Sequence, residues 1–380
     1  MLKEPIAAAP PQPQSDLLPL TPNLDAALKQ AIAMDASDIH IRAGHPARVR
    51  LHGSMQVLEG YATPNPKDTA LIAARILYQA RRREKEAIMQ WIRELQDEDC
   101  SFSVPGGRFR VNLCRQRGSL EVVLRVVPGR VPDLDSMGLP EALKDIAMEE
   151  RGLVLVTGVT GSGKSTTLAA MVHHINTHRK RKVVTIEDPI EFLHSDIQSA
   201  ITQREVGSDT ESFGKALRAA MRQDPDVIMV GEMRDTETID TALRAAETGH
   251  LVFSTLHTSD AEKTITRVVS MFSREEQAIA RLRLADSLKA VTSQRLLSSQ
   301  DGQGRVAAME IMRVTLSVRS CIEDPSKGGM KDLIQQGAQY GMQTFDQHLM
   351  ELYKKDKIRL ETAKMAATSP SDFERNLSFT

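Results

Sequence analysis

The feature that most constrains the fold of this chain is a glycine-rich loop between an apolar segment and a helix-forming segment. The apolar run 153–156 precedes the loop, and the stretch 166–173 follows it. Glycine adopts backbone angles that are closed to other residues, so consecutive N–H groups of such a loop can turn toward one anion. The following helix adds the positive end of its dipole. The pattern therefore predicts a strand, a phosphate-binding loop and a helix, in that order.

The residue types in this loop suit a nucleoside triphosphate. The Lys164 ammonium is expected to reach the β- and γ-phosphates, and the Ser165 hydroxyl to hold Mg²⁺. A glycine-rich turn that binds nothing is the alternative, and the flanking strand and helix argue against it. The residues predicted to bind the nucleotide are Gly158, Thr160, Gly161, Ser162, Gly163, Lys164, Ser165 and Thr166.

Composition limits the class of protein. Of the 380 residues, 41% are hydrophobic and 26% are charged, which is typical of a soluble globular protein with room for two domains. A net charge of −1 and an aromatic content of 4% provide neither an electrostatic funnel nor a stacking surface for nucleic acid. No apolar stretch approaches 18 residues, and no signal sequence is evident. We therefore expect a cytoplasmic protein without a nucleic-acid partner.

Changes in composition and periodicity divide the chain into segments. Residues 1–22 are rich in proline and are predicted to be a flexible tail. Helical and alternating patterns over 23–127 predict a smaller amino-terminal α+β domain. The stretch from Pro128 to Pro132 interrupts both periodicities, so 128–146 is predicted to be a linker with a hinge at its start.

Beyond the linker, short apolar segments alternate with helical ones. The segments predicted to be strands are 153–156, 183–186, 227–230 and 251–256. This alternation predicts an α/β core over 147–313, with a parallel sheet and helices on both faces. From residue 314 the pattern is helical, so 314–380 is predicted to be a helical carboxyl-terminal region.

Three of the predicted strands end in side chains that suit nucleotide chemistry. Glu187 follows the second strand, Glu232 the third and His257 the fourth. Since ligands of parallel sheets bind at the carboxyl ends of the strands, we expect these side chains beside the phosphate loop. A carboxylate there positions water or holds Mg²⁺, so Ser165, Glu187 and Glu232 are the predicted metal-binding residues. Solvated glutamates and a structural histidine stay open as alternatives.

The predicted amino-terminal domain is rich in arginine. Phosphoryl transfer draws on positive charge that another domain or subunit can supply, which makes these arginines candidates. Arg125 lies in an apolar strand, where an unpaired cation would be costly, so it requires a partner. A cross-strand salt bridge is the favoured explanation for Arg125, and an arginine finger is the alternative.

Taken together, the motifs resemble the type II/IV secretion ATPase superfamily and, within it, the PilT-like retraction ATPases. The likeness extends over nearly the whole chain from about Leu24. It rests on residues 158–165, 185–192, 203–206, 231–235 and 248–258, in that order. The resemblance implies a RecA-like P-loop ATPase core with ATP and Mg²⁺ as its ligands. It also implies a PAS-like amino-terminal domain.

The resemblance implies roles for five residues. Glu187 would belong to the Asp box, Glu232 to an atypical Walker B element, and His257 to the His box. Arg110 and Arg125 would correspond to arginines that family members bring to the nucleotide from the first domain. These five are therefore the expected catalytic residues.

The resemblance also implies an assembly and a function. Such chains form homo-hexameric ATPase motors that turn a platform protein of the inner membrane and drive pilus retraction and twitching motility. The chain would then lie at the cytoplasmic face of that membrane through its partners, and a second retraction ATPase is a further implied partner. A PilU-like accessory retraction ATPase and an assembly or secretion ATPase are the alternatives. Of the Ala-Ile-Arg-Asn-Leu-Ile motif of the family, only Arg319 and Ile322 are present here.

Overall fold

The computed structural model describes residues 24–81 and 85–378, so the tail predicted over 1–22 lies outside the described residues. The chain divides into two compact units, Met1–Gly129 and Arg130–Thr380. The division falls within the predicted hinge from Pro128 to Pro132.

The first unit is a six-stranded antiparallel sheet covered by helices. The strand order is β3-β2-β1-β6-β5-β4. Every second residue of the central strands is buried, as at Phe109, Val111 and Leu113, because one face of the sheet packs on the helices. The elements are α1 Leu24–Ala33, β1 Asp38–Arg42, β2 Arg48–Leu51, β3 Ser54–Val57, α2 Pro66–Arg81, α3 Lys85–Glu94, β4 Asp97–Val104, β5 Gly107–Gln116 and β6 Ser119–Val127.

The second unit contains a seven-stranded sheet in the order β13-β12-β7-β11-β10-β8-β9. All neighbours in it are parallel except β12 and β13. Its elements through the sheet are α4 Ala142–Ala147, β7 Gly152–Thr157, α5 Lys164–His178, β8 Lys182–Glu187, β9 Ala200–Glu205, α6 Phe213–Ala220, β10 Val227–Val230, α7 Thr236–Glu247, β11 Leu251–Leu256, α8 Ala261–Ser270, α9 Gln277–Ser287, β12 Leu288–Ser298 and β13 Arg305–Arg313.

Helices cover both faces of this sheet, as the apolar runs predicted. Along β7, Leu153 and Leu155 pack into a core that includes α6 to α9, whereas Val154 and Val156 pack into a second core with α4 and α5. A strand that is buried on both faces has no polar face, which explains its unbroken apolar sequence. The carboxyl ends of β7, β11, β10 and β8 therefore lie side by side at one edge of the sheet.

The carboxyl-terminal region is helical, and its last helices pack on the β12–β13 hairpin. The helices are α10 Leu316–Glu323, α11 Met330–Gln336, α12 Phe345–Lys354, α13 Leu360–Ala366 and α14 Pro370–Ser378. Arg295 of β12 stacks over Phe345 at 4.0 Å and donates from Nη1 to the Ala366 carbonyl at 2.7 Å. In the described part of the chain, no helix combines the length and the apolar character needed to cross a bilayer.

Two features differ from what the sequence suggested. Strands β3, β9, β12 and β13 were not predicted, because β3 and β9 are exposed or polar edge strands and β12 follows α9 without an intervening turn. Part of the predicted linker 128–146 belongs to the second unit, since Leu134, Leu143 and Ile146 are buried in its core and α4 packs on α5. Residues 130–146 therefore belong to the second compact unit, and the division between the units lies at the start of the predicted linker.

Candidate nucleotide-binding site

The glycine-rich loop connects β7 to α5 and requires glycine where the sequence has it. Gly158, Gly161 and Gly163 have φ angles of 146°, 77° and 90°, a region that side chains disfavour. A Cβ atom on Gly158 would also lie 2.4 Å from the Gln294 carbonyl oxygen and 2.5 Å from Ser162 Oγ. The loop is therefore held in a conformation that no other residue fits at position 158.

Helix α5 begins at Lys164, directly after the loop. The first N–H groups of a helix have no carbonyl partner within it, so they are available to an anion, and the helix dipole favours negative charge there. Thr160, Gly161 and Ser165 are exposed, and Thr166 is half-buried. These predicted binding residues are therefore accessible from solvent at the amino end of α5.

Lys164 is folded back onto the loop. Its side chain is buried, and Nζ donates to the carbonyls of Gly158 at 2.8 Å and Val159 at 3.1 Å. Burial lowers the pKa of Lys164, although the negative charges of Glu232 and Glu191 act in the opposite direction. The hydrogen-bond partners of this buried ammonium are neutral groups, so a negatively charged phosphate is a stronger partner for it.

Four functional groups follow one another along the sheet edge because their strands are neighbours. The loop follows β7, His257 follows β11, Glu232 follows β10, and Glu187 ends β8. Gly231 permits the close spacing of the last two, because a Cβ atom there would lie 3.2 Å from the Ile186 carbonyl. The structure therefore brings together the loop and three of the five predicted catalytic residues.

His257 connects Lys164 to Glu232. Lys164 Nζ lies 3.5 Å from His257 Nδ1, and His257 Nε2 lies 3.3 Å from Glu232 Oε1. An ammonium has only donors, so Nδ1 accepts and the ring proton sits on Nε2, which donates to the carboxylate. Three side chains from three elements thus form one hydrogen-bonded chain.

Glu232 is ionised and oriented. Arg234 Nη2 lies 2.8 Å from its Oε2, and the Glu232 side chain is 19% exposed. Burial raises the pKa of Glu232, but the hydrogen bond and positive charge of Arg234, together with the hydrogen bond from His257, outweigh it and leave the pKa below its usual value. A solvated loop glutamate, the alternative from the sequence, is therefore wrong.

Glu187 is buried and accepts three hydrogen bonds. Thr185 Oγ1 donates to its Oε1 at 2.7 Å, Gln203 Nε2 to the same oxygen at 3.1 Å, and the Glu191 N–H to Oε2 at 3.4 Å. Burial raises the pKa of Glu187, and the three donors oppose that effect. The solvated alternative is wrong here too, because Glu187 is only 8% exposed.

The two predicted arginines lie in the first unit. Arg125 of β6 sits opposite Asp38 of β1 and Arg110 of β5 in the strand register. Arg125 Nε donates to Asp38 Oδ1 at 2.8 Å, so the favoured cross-strand salt bridge is present. Burial alone would raise the pKa of Asp38, yet the hydrogen bonds from Arg125 and Ser37 leave it lowered. The Arg125 side chain is nevertheless 66% exposed.

Sequence reasoning missed three polar contacts at this edge. Gln203 holds Glu187, Arg234 holds Glu232, and Gln294 Nε2 donates to the Ser162 carbonyl at 2.6 Å. The first two lie within motifs that were recognised, but their partners depend on strand register. Gln294 lies on β12, and its role had no signal in the sequence because that strand was not predicted.

A parallel sheet with a glycine-rich phosphate loop and acidic side chains at adjacent strand ends defines a RecA-like P-loop ATPase. The sequence model described as "Type II/IV secretion system protein" matches residues 13–372, and the chain belongs to this family. The resemblance inferred from the motifs is thereby confirmed.

The relatives to which the chain is similar include ATPases of type IV pili. It is 45% identical over 339 residues to the type IV pilus retraction ATPase PilT of Pseudomonas aeruginosa, which covers 89% of this chain and 96% of that protein. It is 37% identical to the type IV pilus ATPase PilU of the same organism, over 91% of this chain and 88% of that protein. The structure of the pilus retraction motor PilT with bound ADP matches it with a TM-score of 0.81 at 43% identity, covering 92% of this chain and 98% of that one.

Proposed function

We propose that this chain is a Mg²⁺-dependent ATPase motor that forms a homo-hexamer and drives type IV pilus retraction. The observation that carries the proposal is the succession of phosphate loop, His257, Glu232 and Glu187 along neighbouring strand ends. Its likeness to PilT, at 45% identity over most of both chains, supports the retraction role.

The loop is suited to hold the triphosphate of ATP. Loop N–H groups and the start of α5 bind phosphate oxygens, and Lys164 exchanges the carbonyls of Gly158 and Val159 for the β- and γ-phosphates. This exchange replaces two neutral acceptors with charged ones, so it favours binding. The buried ammonium of Lys164 suits a charged phosphate, and the exposed residues Thr160, Gly161 and Ser165 leave the loop accessible to it.

Ser165, which is exposed, and the acidic strand ends Glu187 and Glu232 are the residues that would hold Mg²⁺. When bound to phosphate oxygens, it neutralises charge that develops during phosphoryl transfer. Glu232 is ionised and partly exposed, so its carboxylate can accept a hydrogen bond from the attacking water and orient it. Glu187 is held by Thr185 and Gln203, which suits a group that must keep one fixed position.

His257 is placed to report the state of the nucleotide to Glu232. When Lys164 turns toward phosphate, His257 Nδ1 loses its donor, and the ring is free to reorient. Its contact with Glu232 then changes with the occupancy of the loop. This arrangement supports the family role that the His box implies.

Arg110 and Arg125 are proposed to complete the site from the amino-terminal domain of a ring neighbour. Asp38 fixes Arg125 at Nε while most of its side chain stays exposed. An arginine that is oriented in this way can stabilise charge on the γ-phosphate with little loss of side-chain freedom. The salt bridge and the catalytic role are therefore compatible.

The proposed setting follows from the retraction role. The hexamer would act at the cytoplasmic face of the inner membrane, on the pilus platform protein and beside a second retraction ATPase, without nucleic acid. A PilU-like accessory role is the second candidate. Its support is the 37% identity to PilU, against 45% to PilT from the same organism.

Two experiments test this proposal. Purified protein is assayed for ATP hydrolysis with Mg²⁺ and with EDTA, using Lys164→Ala and Glu232→Ala, with the exposed Glu275→Ala as a control. Both site variants are expected to lose at least about a hundredfold in turnover, because each removes a charged group from the phosphates or the water. Undiminished turnover in Glu232→Ala would refute the mechanism. Deletion of the gene should give excess surface pili without twitching, whereas bald cells would indicate an assembly role.

A further inference from the structure

Gln294 lies where β12 meets the phosphate loop. Strand β12 runs parallel to β7, with Thr292 beside Val156 and Ser293 beside Thr157, so the next residue of β12 lies beside the start of the loop. The side chain of Gln294 is 1% exposed. The amide is therefore fully enclosed between the sheet and the loop.

Three residues of the loop are packed around Gln294. Its Nε2 donates to the Ser162 carbonyl at 2.6 Å. A Cβ atom on Gly163 would lie 3.0 Å from the same Nε2, and one on Gly158 would lie 2.4 Å from the Gln294 carbonyl oxygen. The close approach of Gln294 thus requires glycine at position 158, and a Cβ atom at position 163 would crowd the Gln294 amide.

The hydrogen bond to Ser162 has a direct consequence for the next N–H group. In a planar trans peptide, the carbonyl of one residue and the N–H of the following residue point in opposite directions. Because the Ser162 carbonyl points at Gln294, the Gly163 N–H points away from β12. Gly163 is also the N-cap of α5, so this N–H belongs to the helix end at which a phosphate is proposed to bind.

We propose that Gln294 is a positioning residue for the phosphate loop, which aims the Gly163 N–H at the nucleotide by holding the Ser162 carbonyl. The inference rests on the proposed nucleotide-binding function. It concerns the affinity of the loop for phosphate and not the chemistry of hydrolysis.

A second observation separates this role from simple core packing. Gln294 Oε1 is buried and has no hydrogen-bond partner in the described structure. A leucine or methionine would fill nearly the same volume without burying an unpaired oxygen, which destabilises a fold. What glutamine supplies at this position, and leucine or methionine cannot, is therefore the donor to the Ser162 carbonyl.

The test compares Gln294→Leu and Gln294→Met with wild type and with Thr292→Val. Thr292 lies two residues away on the same face of β12, and its buried hydroxyl also has no partner in the described structure, so Thr292→Val controls for repacking. The Kd for a fluorescent ADP analogue and for ATPγS with Mg²⁺ is measured by titration. The Tm of the nucleotide-free protein is measured in parallel.

Both Gln294 variants are expected to bind nucleotide about tenfold more weakly, with an unchanged or higher Tm, while Thr292→Val binds as wild type. Binding within twofold of wild type in either folded variant overturns the inference. A lower Tm with an unchanged Kd also overturns it, because that result marks a structural role. Wild type that binds neither probe refutes the proposed function itself, which keeps the two failures distinct.

Discussion

Acid is expected to destabilise the second unit through one half-buried histidine, His194. Its Nδ1 is buried without a partner in the described structure, and burial, reinforced by the charge of His173, lowers the pKa of His194 to about 4. The backbone N–H of His194 donates to Gln203 Oε1, and the Gln203 amide in turn donates to Glu187. Protonation of His194 would therefore perturb the segment that orients a predicted catalytic residue.

The sign and size of the effect follow from the two pKa values. In the unfolded chain a histidine has a pKa of about 6.5, so the unfolded state takes up a proton at a higher pH than the folded state does. The contribution of His194 is present in full above pH 6.5 and is lost as the pH falls toward 4. The loss amounts to about 2 kcal/mol between pH 7 and pH 5, and about 3 kcal/mol over the whole window.

Urea unfolding at pH 7 and pH 5 can measure this loss. His194→Gln, which stays neutral, should lose about 2 kcal/mol less than wild type over this interval. The exposed His178→Gln should behave as wild type. Far-UV circular dichroism follows both units, whereas the fluorescence of Trp91, the single tryptophan, follows the first unit and should not respond to His194→Gln. Equal pH dependence in wild type and His194→Gln would refute the reasoning.

Three further predictions concern single positions. Gly158→Ala should abolish measurable nucleotide binding in a titration, because its Cβ atom would lie 2.4 Å from a backbone oxygen of β12, and retained affinity would contradict this account of the loop. Gln203→Leu should lower kcat while leaving the Kd for ADP without Mg²⁺ unchanged, since it frees Glu187 but touches no phosphate. An unchanged kcat in steady-state assays would argue against a positioning role. Arg125→Ala should cost less than about 1 kcal/mol in urea unfolding followed by Trp91 fluorescence, because its side chain is 66% exposed. If its ATPase activity is also unchanged, the catalytic role proposed for Arg125 is wrong.

The sequence was sufficient for the centre of the α/β core. Strands β7, β8, β10 and β11 are buried on both faces, so their apolar runs are visible without any knowledge of their neighbours. Strand β9 carries Thr202, Gln203 and Arg204 at the sheet edge, where half-exposed polar residues are tolerated. Its composition therefore gave no signal.

For the candidate site, the sequence was sufficient to predict which residues lie at the sheet edge but not their contacts. Glu187, Glu232 and His257 were identified because strand ends of a parallel sheet share one edge, and the structure places them there. Burial and hydrogen-bond partners were not predictable, because they depend on register and on loop geometry. The turn of Lys164 onto its own loop and the contact of Gln294 with Ser162 are both of this kind.

The alternation of side chains along β12 has a practical consequence for anyone who shortens this protein. Gln294 faces the phosphate loop, whereas the adjacent Arg295 stacks on Phe345 and bonds to the Ala366 carbonyl. One strand thus forms a wall shared by the nucleotide pocket and the last helices. A truncation before α12 would remove the contacts of Arg295 with Phe345 and Ala366 and expose that side of β12. A fragment that ends there is therefore unsuitable as a minimal ATPase for measuring nucleotide affinity.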